Sequence, residues 1–302
     1  MSQGIGDTDE LTVWQNLRGL GGRFRRRLRR RLLEPVLLGT RSFRETVLNA
    51  VSARGHLVYC ELPGGKFFVD PSDRVVGSNL MWRGEWQREE FLQAVRALEE
   101  AGRAPKGKAF IDVGANIGTH TVYALTSGAF ARVVAFEPEP RNLRLLCMNA
   151  AINELSGRVT AIGKALGKAA GEAILHLHPR NQAAHAIGRR PSYDGTISVP
   201  VAMARLDDEL RPLIGPQDIG LVWIDVEGLE PEVIEGLGDY LGQVPLAIEY
   251  APYRYSEQRR RALDELLIAN YRTVRRLGET LTPVESIDAL RAIDGIVDIV
   301  VC

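Results

Sequence analysis

Hydrophobic and polar positions follow one spacing after residue 108 and another before it. From there onward, short apolar segments alternate with amphipathic stretches, which predicts a parallel β-sheet with crossover helices. The predicted strands are residues 109–113, 132–136, 159–162, 221–226, 246–250, 273–276 and 296–301. The predicted helices between them are residues 118–127, 140–154, 229–237, 256–269 and 283–292, the last one beginning with the capping pattern Thr282-Pro283-Val284-Glu285.

The chain before residue 108 divides into two parts. Apolar residues between positions 17 and 33 recur every three or four residues among arginines, which predicts a basic amphipathic helix within an N-terminal extension, residues 1–50. Residues 51–107 contain two β-like segments joined by Pro63-Gly64-Gly65, followed by a predicted helix. We therefore predict a hairpin and helix cap over residues 51–107 and a main α/β domain over residues 108–302.

Residues 167–204 of the main domain depart from the alternation. They lie between the third and fourth predicted strands, contain further β-like stretches at 174–178 and 197–201, and hold three of the five histidines. We interpret residues 167–204 as an insertion that takes part in substrate recognition.

Charge is balanced over the whole chain but not along it. The 302 residues include 38 basic and 38 acidic ones, so the formal net charge is zero. The extension carries ten arginines and five acidic residues, which leaves it about five charges positive and the remainder about five negative. A protein that coats nucleic acid carries a strong positive excess, so no nucleic-acid partner is expected. The basic charge of residues 17–33 favours peripheral contact with an anionic membrane or an acidic partner instead.

Cysteine spacing and hydropathy indicate which structural cross-links and which cellular location to expect. Cys60, Cys147 and Cys302 are far apart and form no CxxC or Cys/His pattern, which excludes a disulfide framework and disfavours a structural zinc site. Cys147 is predicted to be a small core residue, because it lies within an apolar helical pattern. The sequence contains neither an apolar run long enough for a transmembrane helix nor a secretory signal, so we expect a cytoplasmic protein, peripheral at the membrane if the extension docks there.

A strand, a glycine-containing turn and a helix follow one another over residues 110–120, FIDVGANIGTH. In a doubly wound sheet, this first strand-to-helix turn is where nucleotides bind. Gly114 has no Cβ, so the backbone can pass close to a ligand or turn through positive φ. A dinucleotide site needs glycine at the second position of GxGxxG, but Asn116 stands there, so that pattern fails.

S-adenosyl-L-methionine is the alternative ligand, and the D-V-G-x-N-x-G pattern suits it. Asp112 can accept from the ammonium group of the ligand, directly or through water, while Asn116 and the loop amides up to Gly118 hold the remainder. Glu137 follows the second predicted strand, twenty-five residues after Asp112. A carboxylate at that place can accept from both ribose hydroxyls, as the corresponding acid does in dinucleotide folds.

At this point the sequence resembles the FkbM-like methyltransferases. The matching segments are IDVGANIG at 111–118, FEPEPRN at 136–142 with Asn149 and Asn153 following, ALG at 165–167, RLDDEL at 205–210 and WIDVEGLEPEVIEG at 223–236. The resemblance implies a class I methyltransferase fold: a Rossmann-like, seven-stranded, mostly parallel sheet with an antiparallel last strand and helices on both faces. It also implies S-adenosyl-L-methionine as the donor, with Pro138 and Asn142 beside Glu137 in its site. One departure is Gln87, where the family commonly has Glu after the aromatic residue.

The resemblance further implies O-methylation of small molecules or sugar units. Methyl transfer is an in-line displacement that depends on positioning, and a general base helps when the acceptor is an alcohol. Asp225 and Glu227 end the fourth predicted strand and lie on one side if the strand continues through both. Two close carboxyls raise one pKa, which suits a base, although both could instead cap the following helix. The place where catechol-type magnesium methyltransferases have an Asp-Asn pair holds Glu249-Tyr250, so no metal is predicted.

Histidines of the insertion are further candidates for the base. His185 lies in a predicted loop that can reach the acceptor, and a neutral histidine titrates near working pH. His176 and His178 alternate on one strand face, whereas His120 more simply packs against the first helix.

The sequence therefore favours a methyltransferase that acts on a hydroxyl of a small molecule, saccharide or lipid-linked glycan. Two other classes remain open: a non-catalytic docking protein of the same fold that uses its arginine-rich helix, and an enzyme that methylates protein or nucleic acid. The neutral charge argues against nucleic acid, and the absence of N-P-P-Y and Pro-Cys sequences disfavours the amino-group and cytosine-C5 methylators. A homo-oligomer is compatible with all of these.

Overall fold

The computed structural model describes residues 41–53, 55–178, 181, 184–187 and 197–302. The chain divides into two units, Met1–His56 and Leu57–Cys302. In the first unit the structure describes helix α1, Arg41–Ser52. The predicted amphipathic helix at residues 17–33 lies outside the described residues. Among the helices that are described, none combines the length and apolar character needed to cross a bilayer.

The second unit contains fourteen described strands. In chain order these are β1 Val58–Leu62, β2 Gly65–Val69, β3 Ala109–Val113, β4 Arg132–Phe136, β5 Val159–Ile162, β6 Ala165–Leu166, β7 Gly171–Leu177, β8 Ala186–Ile187, β9 Ile197–Ala204, β10 Ile219–Ile224, β11 Leu246–Tyr250, β12 Thr273–Arg276, β13 Glu285–Ser286 and β14 Val297–Val301. Its described α-helices are α2 Val76–Arg83, α3 Arg88–Glu100, α4 Thr119–Thr126, α5 Pro140–Ile152, α6 Leu206–Leu210, α7 Glu230–Glu235 and α8 Glu257–Asn270.

The main sheet has the order β13-β12-β14-β11-β10-β3-β4-β5. Strands β11, β10, β3, β4 and β5 are parallel, and the last strand β14 runs antiparallel to both β11 and β12, as predicted. The chain moves outward in one direction from β3 and then returns to build the other side from β10. Ligands of such sheets bind outside the carboxyl ends of the strands at this switch point.

Apolar residues alternate between the two faces of the sheet, and helices cover both faces. Ile111, Val222 and Ile248 pack with residues of α7 and α8 on one face. Phe110 and Trp223 pack with residues of α3, α4 and α5 on the other. The predicted Rossmann-like α/β architecture is therefore confirmed, with eight strands in the main sheet rather than seven.

The eighth strand replaces a predicted helix. The helix predicted at residues 283–292 is wrong, because Glu285 joins β13, which pairs with β12, and both of its carboxylate oxygens accept from Arg276 Nη2 at 3.0 Å. Only a short 3-10 helix follows, Ile287–Ala292, and its cap is Ser286 rather than Thr282. The strand pairing and this ion pair outweigh the local capping signal.

The N-terminal hairpin is confirmed, with β1 antiparallel to β2. Helix α5 covers the free edge of β2 with two asparagines. Asn149 Oδ1 accepts from the backbone N–H of Phe68 at 2.6 Å, and Asn153 Oδ1 accepts from that of Lys66 at 2.9 Å. The same helix exposes Cys147, so the prediction of a core cysteine is wrong: α5 turns its Leu145, Leu146 and Asn149 face inward instead.

The insertion contributes β7, β8 and β9 to a separate sheet, which β6 joins from just before it, in the order β6-β9-β7-β8. The two predicted stretches are the antiparallel strands β7 and β9. One face of this sheet is apolar and includes Leu175, Ile187 and Val201. It therefore provides an apolar wall beside the main sheet.

Candidate functional site

A cleft lies at the carboxyl ends of β3, β4 and β10, at the switch point of the main sheet. Its polar wall combines residues that are far apart in the sequence: Asn116, Glu137, Lys164, His185, Asp225 and Glu227. Its apolar wall comes partly from the main sheet and partly from the insertion: Val113, Phe136, Ala165, Leu166, Leu175, Ile187, Val226 and Leu229.

The loop after β3 turns through left-handed conformations. Gly114, Asn116 and Gly118 have φ values of +83°, +51° and +83°. A Cβ added to Gly114 would lie 1.8 Å from the backbone oxygen of Asp225. Glycine is thus required here by the close approach of the loop after β10, a reason that the sequence did not reveal. This contact brings the two loops together at the cleft.

Glu137 is held rigidly at the end of β4. Its Oε2 accepts from the backbone N–H of Asn116 at 2.8 Å, and its Oε1 accepts from that of Glu139 at 2.9 Å. Burial raises the pKa of Glu137 to about 7, although both hydrogen bonds oppose that rise. Each carboxylate oxygen keeps a lone pair for a further donor.

The predicted cofactor residues divide into two groups. Gly114, Asn116, Glu137 and Pro138 line the cleft. Asp112, Gly118 and Asn142 are absent from its described lining.

Asp112 and Asn142 are buried beside the cleft. Asp112 Oδ2 accepts from Thr121 Oγ1 at 2.6 Å, while its Oδ1 has no hydrogen-bond partner among the described residues. Burial raises the pKa of Asp112 to about 7, and the bonds from Thr121 lower it. Asn142 donates its backbone N–H to Glu139 Oε2 at 2.6 Å, and its Oδ1 likewise has no partner in the described part. Each residue thus keeps an unsatisfied acceptor close to the cleft.

Asp225 and Glu227 both line the cleft, although β10 ends before them at Ile224. Glu227 has a φ of +55°, an uncommon conformation for a non-glycine residue and one found at functional sites. The alternative role of these acids as helix caps is not seen, because the N-cap residue of α7 is Leu229 and no described side chain caps that helix. Glu230, the first residue of α7, instead accepts at Oε1 from the loop N–H groups of Val226 and Gly228 at 3.3 and 3.0 Å.

Two further residues lie next to these acids without belonging to the described lining of the cleft. Glu249 lies beside Asp225 because β10 and β11 are parallel with Ile224 opposite Ile248. Arg254 Nη1 forms ion pairs with Glu249 and with Glu227, the latter at 2.9 Å. The position of Glu249 follows from strand register once the sheet order is known. No pattern in the sequence indicates Arg254.

The acidic carboxyls differ in their surroundings. Burial raises the pKa of Asp225 well above its ordinary range, and Glu249, Glu227, Asp298 and Glu230 raise it further in that order. Burial also raises the pKa of Glu227 to about 7, but Arg254 opposes that rise.

His185 enters the cleft from the insertion. Its Nδ1 accepts from the backbone N–H of His178 at 3.0 Å, so the neutral ring carries its proton on Nε2. Burial, assisted by His178, lowers the pKa of His185 to about 4. Near neutral pH the ring is therefore a hydrogen-bond donor. Of the other histidines, His176 pairs with Ser198 at 2.9 Å. His120 lies within α4 and packs on Trp223 of the main sheet, a contact that the sequence did not predict.

The acidic group also has the spacing of a cation site. One oxygen each of Asp225, Glu227 and Glu249 lies within 4.8 Å of the others. Divalent cations favour such oxygen ligands, but the guanidinium of Arg254 already lies against two of the three carboxylates. We assign no metal to this group.

Known proteins match the segment that builds the cleft. The family profile described as the Methyltransferase FkbM domain matches residues 112–275, more than half of the chain. Methyltransferase sdnD of Sordaria araneosa is 29% identical over 161 aligned residues, covering 45% of this chain and 62% of that protein. Methyltransferase 1 of Beauveria bassiana (strain ARSEF 2860) is 28% identical over 151 aligned residues, covering 45% of this chain and 60% of that protein.

A solved structure is similar over part of its length. The crystal structure of methyltransferase FkbM from Methylobacillus flagellatus KT matches with a TM-score of 0.43 and 17% identity. The match covers 65% of this chain and 44% of that chain. The chain thus spans less than two thirds of the length of each of these three relatives.

Proposed function

The chain belongs to the FkbM methyltransferase family, and from that membership we propose that it is an S-adenosyl-L-methionine-dependent O-methyltransferase. Its acceptor is a hydroxyl group of a small molecule, saccharide or lipid-linked glycan. One observation carries the proposal: a single cleft holds both the Gly114–Glu137 side, suited to the donor, and the Asp225–Glu227 side, suited to a reacting hydroxyl.

The residues of the cleft fit the donor chemically. Ribose hydroxyls are hydrogen-bond donors, and Glu137 accepts from them when it is ionised. The ammonium and the sulfonium are cations, which suit a cleft that is rich in carboxyl groups. Phe136 and Leu166 offer apolar surface for the adenine ring. The same carboxylates would repel a phosphate, which agrees with the failed dinucleotide pattern.

Each side of the cleft has a distinct task. When bound, the donor supplies a sulfonium-activated methyl group, whose transfer to a hydroxyl oxygen yields S-adenosylhomocysteine and releases the hydroxyl proton. Glu137 binds the ribose hydroxyls, and Asp225 accepts the released proton. His185 donates from Nε2 to an oxygen of the acceptor and orients it, because its other ring nitrogen is occupied by His178.

Isothermal titration calorimetry of the full chain with S-adenosylmethionine and S-adenosylhomocysteine tests the donor site. We expect dissociation constants on the order of micromolar, as is usual for cosubstrates. If the protein is folded by circular dichroism and binds neither compound, the proposal fails.

The acceptor class needs a second measurement. The full chain is incubated with S-adenosylmethionine and panels of hydroxylated small molecules, glycans, proteins and RNA, and S-adenosylhomocysteine release is followed. We expect release with hydroxylated small molecules or glycans and weak dependence on salt, because a neutral protein gains little from phosphate contacts. Release only with RNA or protein would contradict the acceptor assignment.

We further propose that the basic extension contacts anionic membranes. Its net positive charge and the apolar spacing at residues 17–33 support this. In vesicle flotation, the full chain should float with phosphatidylserine vesicles and remain behind with phosphatidylcholine vesicles. A variant with Arg25, Arg26 and Arg27 changed to Gln should float less, and unchanged flotation would refute the contact.

A further inference from the structure

The two acids of the cleft, Asp225 and Glu227, neighbour a third carboxyl group, Glu249, and one guanidinium, Arg254. Arg254 ends the short 3-10 helix Pro252–Arg254 directly after β11. Its Nη1 forms ion pairs with Glu227 and Glu249, whose side chains are only 19% and 14% exposed. Arg254 thus connects the loop after β10 to strand β11.

Asp225 is adjacent to this ion-paired group but outside it. Its carboxyl accepts no hydrogen bond from any residue that the structure describes, whereas Glu227 and Glu249 share the guanidinium. Asp225 also lines the cleft, so it is accessible to a ligand. The two acids that follow β10 are therefore not equivalent.

Acidic groups approach Asp225 from several elements. Glu227 lies on its own loop and Glu230 on α7, while Glu249 comes from β11 and Asp298 from β14. Asp298 stands opposite Glu249 in the β11–β14 pairing. These four carboxyls disfavour a negative charge on Asp225, and two of them, Glu227 and Glu249, are ion-paired with the guanidinium of Arg254.

We propose that Arg254 is a positioning residue: its ion pairs hold Glu227 and Glu249, its positive charge offsets part of their repulsion, and Asp225 is thereby left as the group that takes the acceptor's proton. The proposal rests on the proposed function for the identity of the acceptor, but not for the coupling between these side chains. It separates Asp225 from Glu227, which the sequence left as equal candidates. It also makes the proton affinity of Asp225 depend on a residue that lies beyond the next strand.

The direction in which the pKa of Asp225 changes distinguishes an electrostatic role of Arg254 from a merely structural one. Loss of the Arg254 charge makes ionisation of Asp225 harder and raises its pKa. Loss of the Glu249 charge makes ionisation easier and lowers it. If Arg254 only held the loops together, its removal would admit water and lower the pKa of Asp225 instead.

Carbon-13 NMR of the full chain, labelled at aspartate carboxyls and without any ligand, tests the coupling. Asp225→Asn identifies the Asp225 signal, which is then followed against pH in the wild type, Arg254→Gln, Arg254→Lys and Glu249→Gln. We expect the midpoint to rise by about one pH unit in Arg254→Gln and to fall by about as much in Glu249→Gln. Arg254→Lys, which keeps the charge, should stay near the wild type.

Arg259→Gln is the matched control. Arg259 lies nearby on α8, where it pairs with Glu232 and donates to the backbone oxygen of Gly228 at 2.8 Å. We expect its removal to leave the Asp225 midpoint unchanged. A midpoint that falls in Arg254→Gln, or moves in the same direction in Arg254→Gln and Glu249→Gln, would overturn the proposal.

Thermal unfolding of each variant confirms that it is folded before its titration is interpreted. Calorimetry with S-adenosylhomocysteine on the same samples reports the donor site separately. Absent donor binding would therefore count against the proposed function, while the NMR titration still decides the role of Arg254.

Discussion

The two sides of the cleft hold their carboxyl groups by different means. Backbone N–H groups fix Glu137 on the donor side, and these come from its own segment and from the adjoining loop. On the acidic side, Glu227 and Glu249 are held by the side chain of Arg254, and Asp225 is held by no described hydrogen bond. On the donor side, the carboxyl group is therefore fixed by the backbone. On the acidic side, its position and ionisation depend on neighbouring charged side chains, which a single substitution can remove.

We expect the largest effect from a substitution that separates the loop after β3 from the loop after β10. In Gly114→Ala, the new Cβ meets the backbone oxygen of Asp225, and the φ of +83° is unfavourable for alanine. We expect a loss of about 3 to 4 kcal/mol in the free energy of unfolding, measured with urea. Gly128→Ala is the matched control, because Gly128 has a φ of +73° and nothing within 4 Å of the added Cβ. It should cost only about 1 kcal/mol, and equal losses would show that the contact with Asp225 is unimportant.

The donor side is tested by Glu137→Gln. The amide cannot replace a carboxylate that accepts from two backbone N–H groups and, in the proposed function, from two ribose hydroxyls. We expect affinity for S-adenosylhomocysteine in calorimetry to fall on the order of 100-fold, because hydrogen bonds to a charged group are lost. Glu172→Gln, on the exposed start of β7, should leave the affinity unchanged. A Glu137→Gln protein that binds normally would remove Glu137 from the donor site.

The pH dependence of donor binding tests whether the ionisation of Glu137 controls the affinity of the donor side. Burial raises the pKa of Glu137 to about 7, and in the proposed function it is the ionised form that accepts from the ribose. Affinity for S-adenosylhomocysteine should therefore fall about tenfold between pH 8 and pH 6, as the ionised fraction of one such group falls.

Glu227 also has a pKa of about 7, so its variant identifies which side titrates. Glu227→Gln should keep the pH profile of donor binding, because Glu227 belongs to the acidic side. If the profile flattens in Glu227→Gln, the acidic side rather than Glu137 controls donor binding.

Because Glu137 is buried, its ionisation also makes the free energy of unfolding depend on pH. Its folded pKa of about 7 lies above the ordinary value of 4.5. The folded state therefore binds the proton more tightly than the unfolded chain does, and the associated stability is lost as pH rises toward and through about 7. Removal of the buried carboxyl in Glu137→Gln should weaken this pH dependence of the unfolding free energy.

Local hydrophobic patterns were sufficient to predict most strands of the main sheet. The strands β3, β4, β5, β11 and β12 begin and end where the alternation predicts. They are buried segments bounded by turns, and their hydrophobic spacing is tied to their secondary structure. The pattern failed at residues 283–292, where a capping signal competes with pairing to β12, a partner that no local pattern shows.

The candidate site residues also divide into those that a local pattern predicts and those whose role depends on the fold. Glu137 and the Gly114–Gly118 loop could be predicted because a strand end followed by a turn is a local feature. Asp112, Gly118 and Asn142 belong to the same motifs, but the fold places them beside the cleft rather than in its described wall. Whether they contact the donor stays a prediction. His185 could be named as a candidate, but its role as a donor depends on the backbone of His178, seven residues away.

The sequence by itself determined the α/β architecture, the family and the carboxyl groups at the strand ends. Each of these depends on spacing within a short stretch of chain. Only the tertiary structure decided that Gly114 must accommodate Asp225 and that Glu249 joins Asp225. It also decided that Arg254 pairs with Glu227 and Glu249, while Asp225 has no ion pair within the described part of the chain. Those facts depend on which strands are neighbours and how closely their loops approach, because charge and steric contact act through space rather than along the chain.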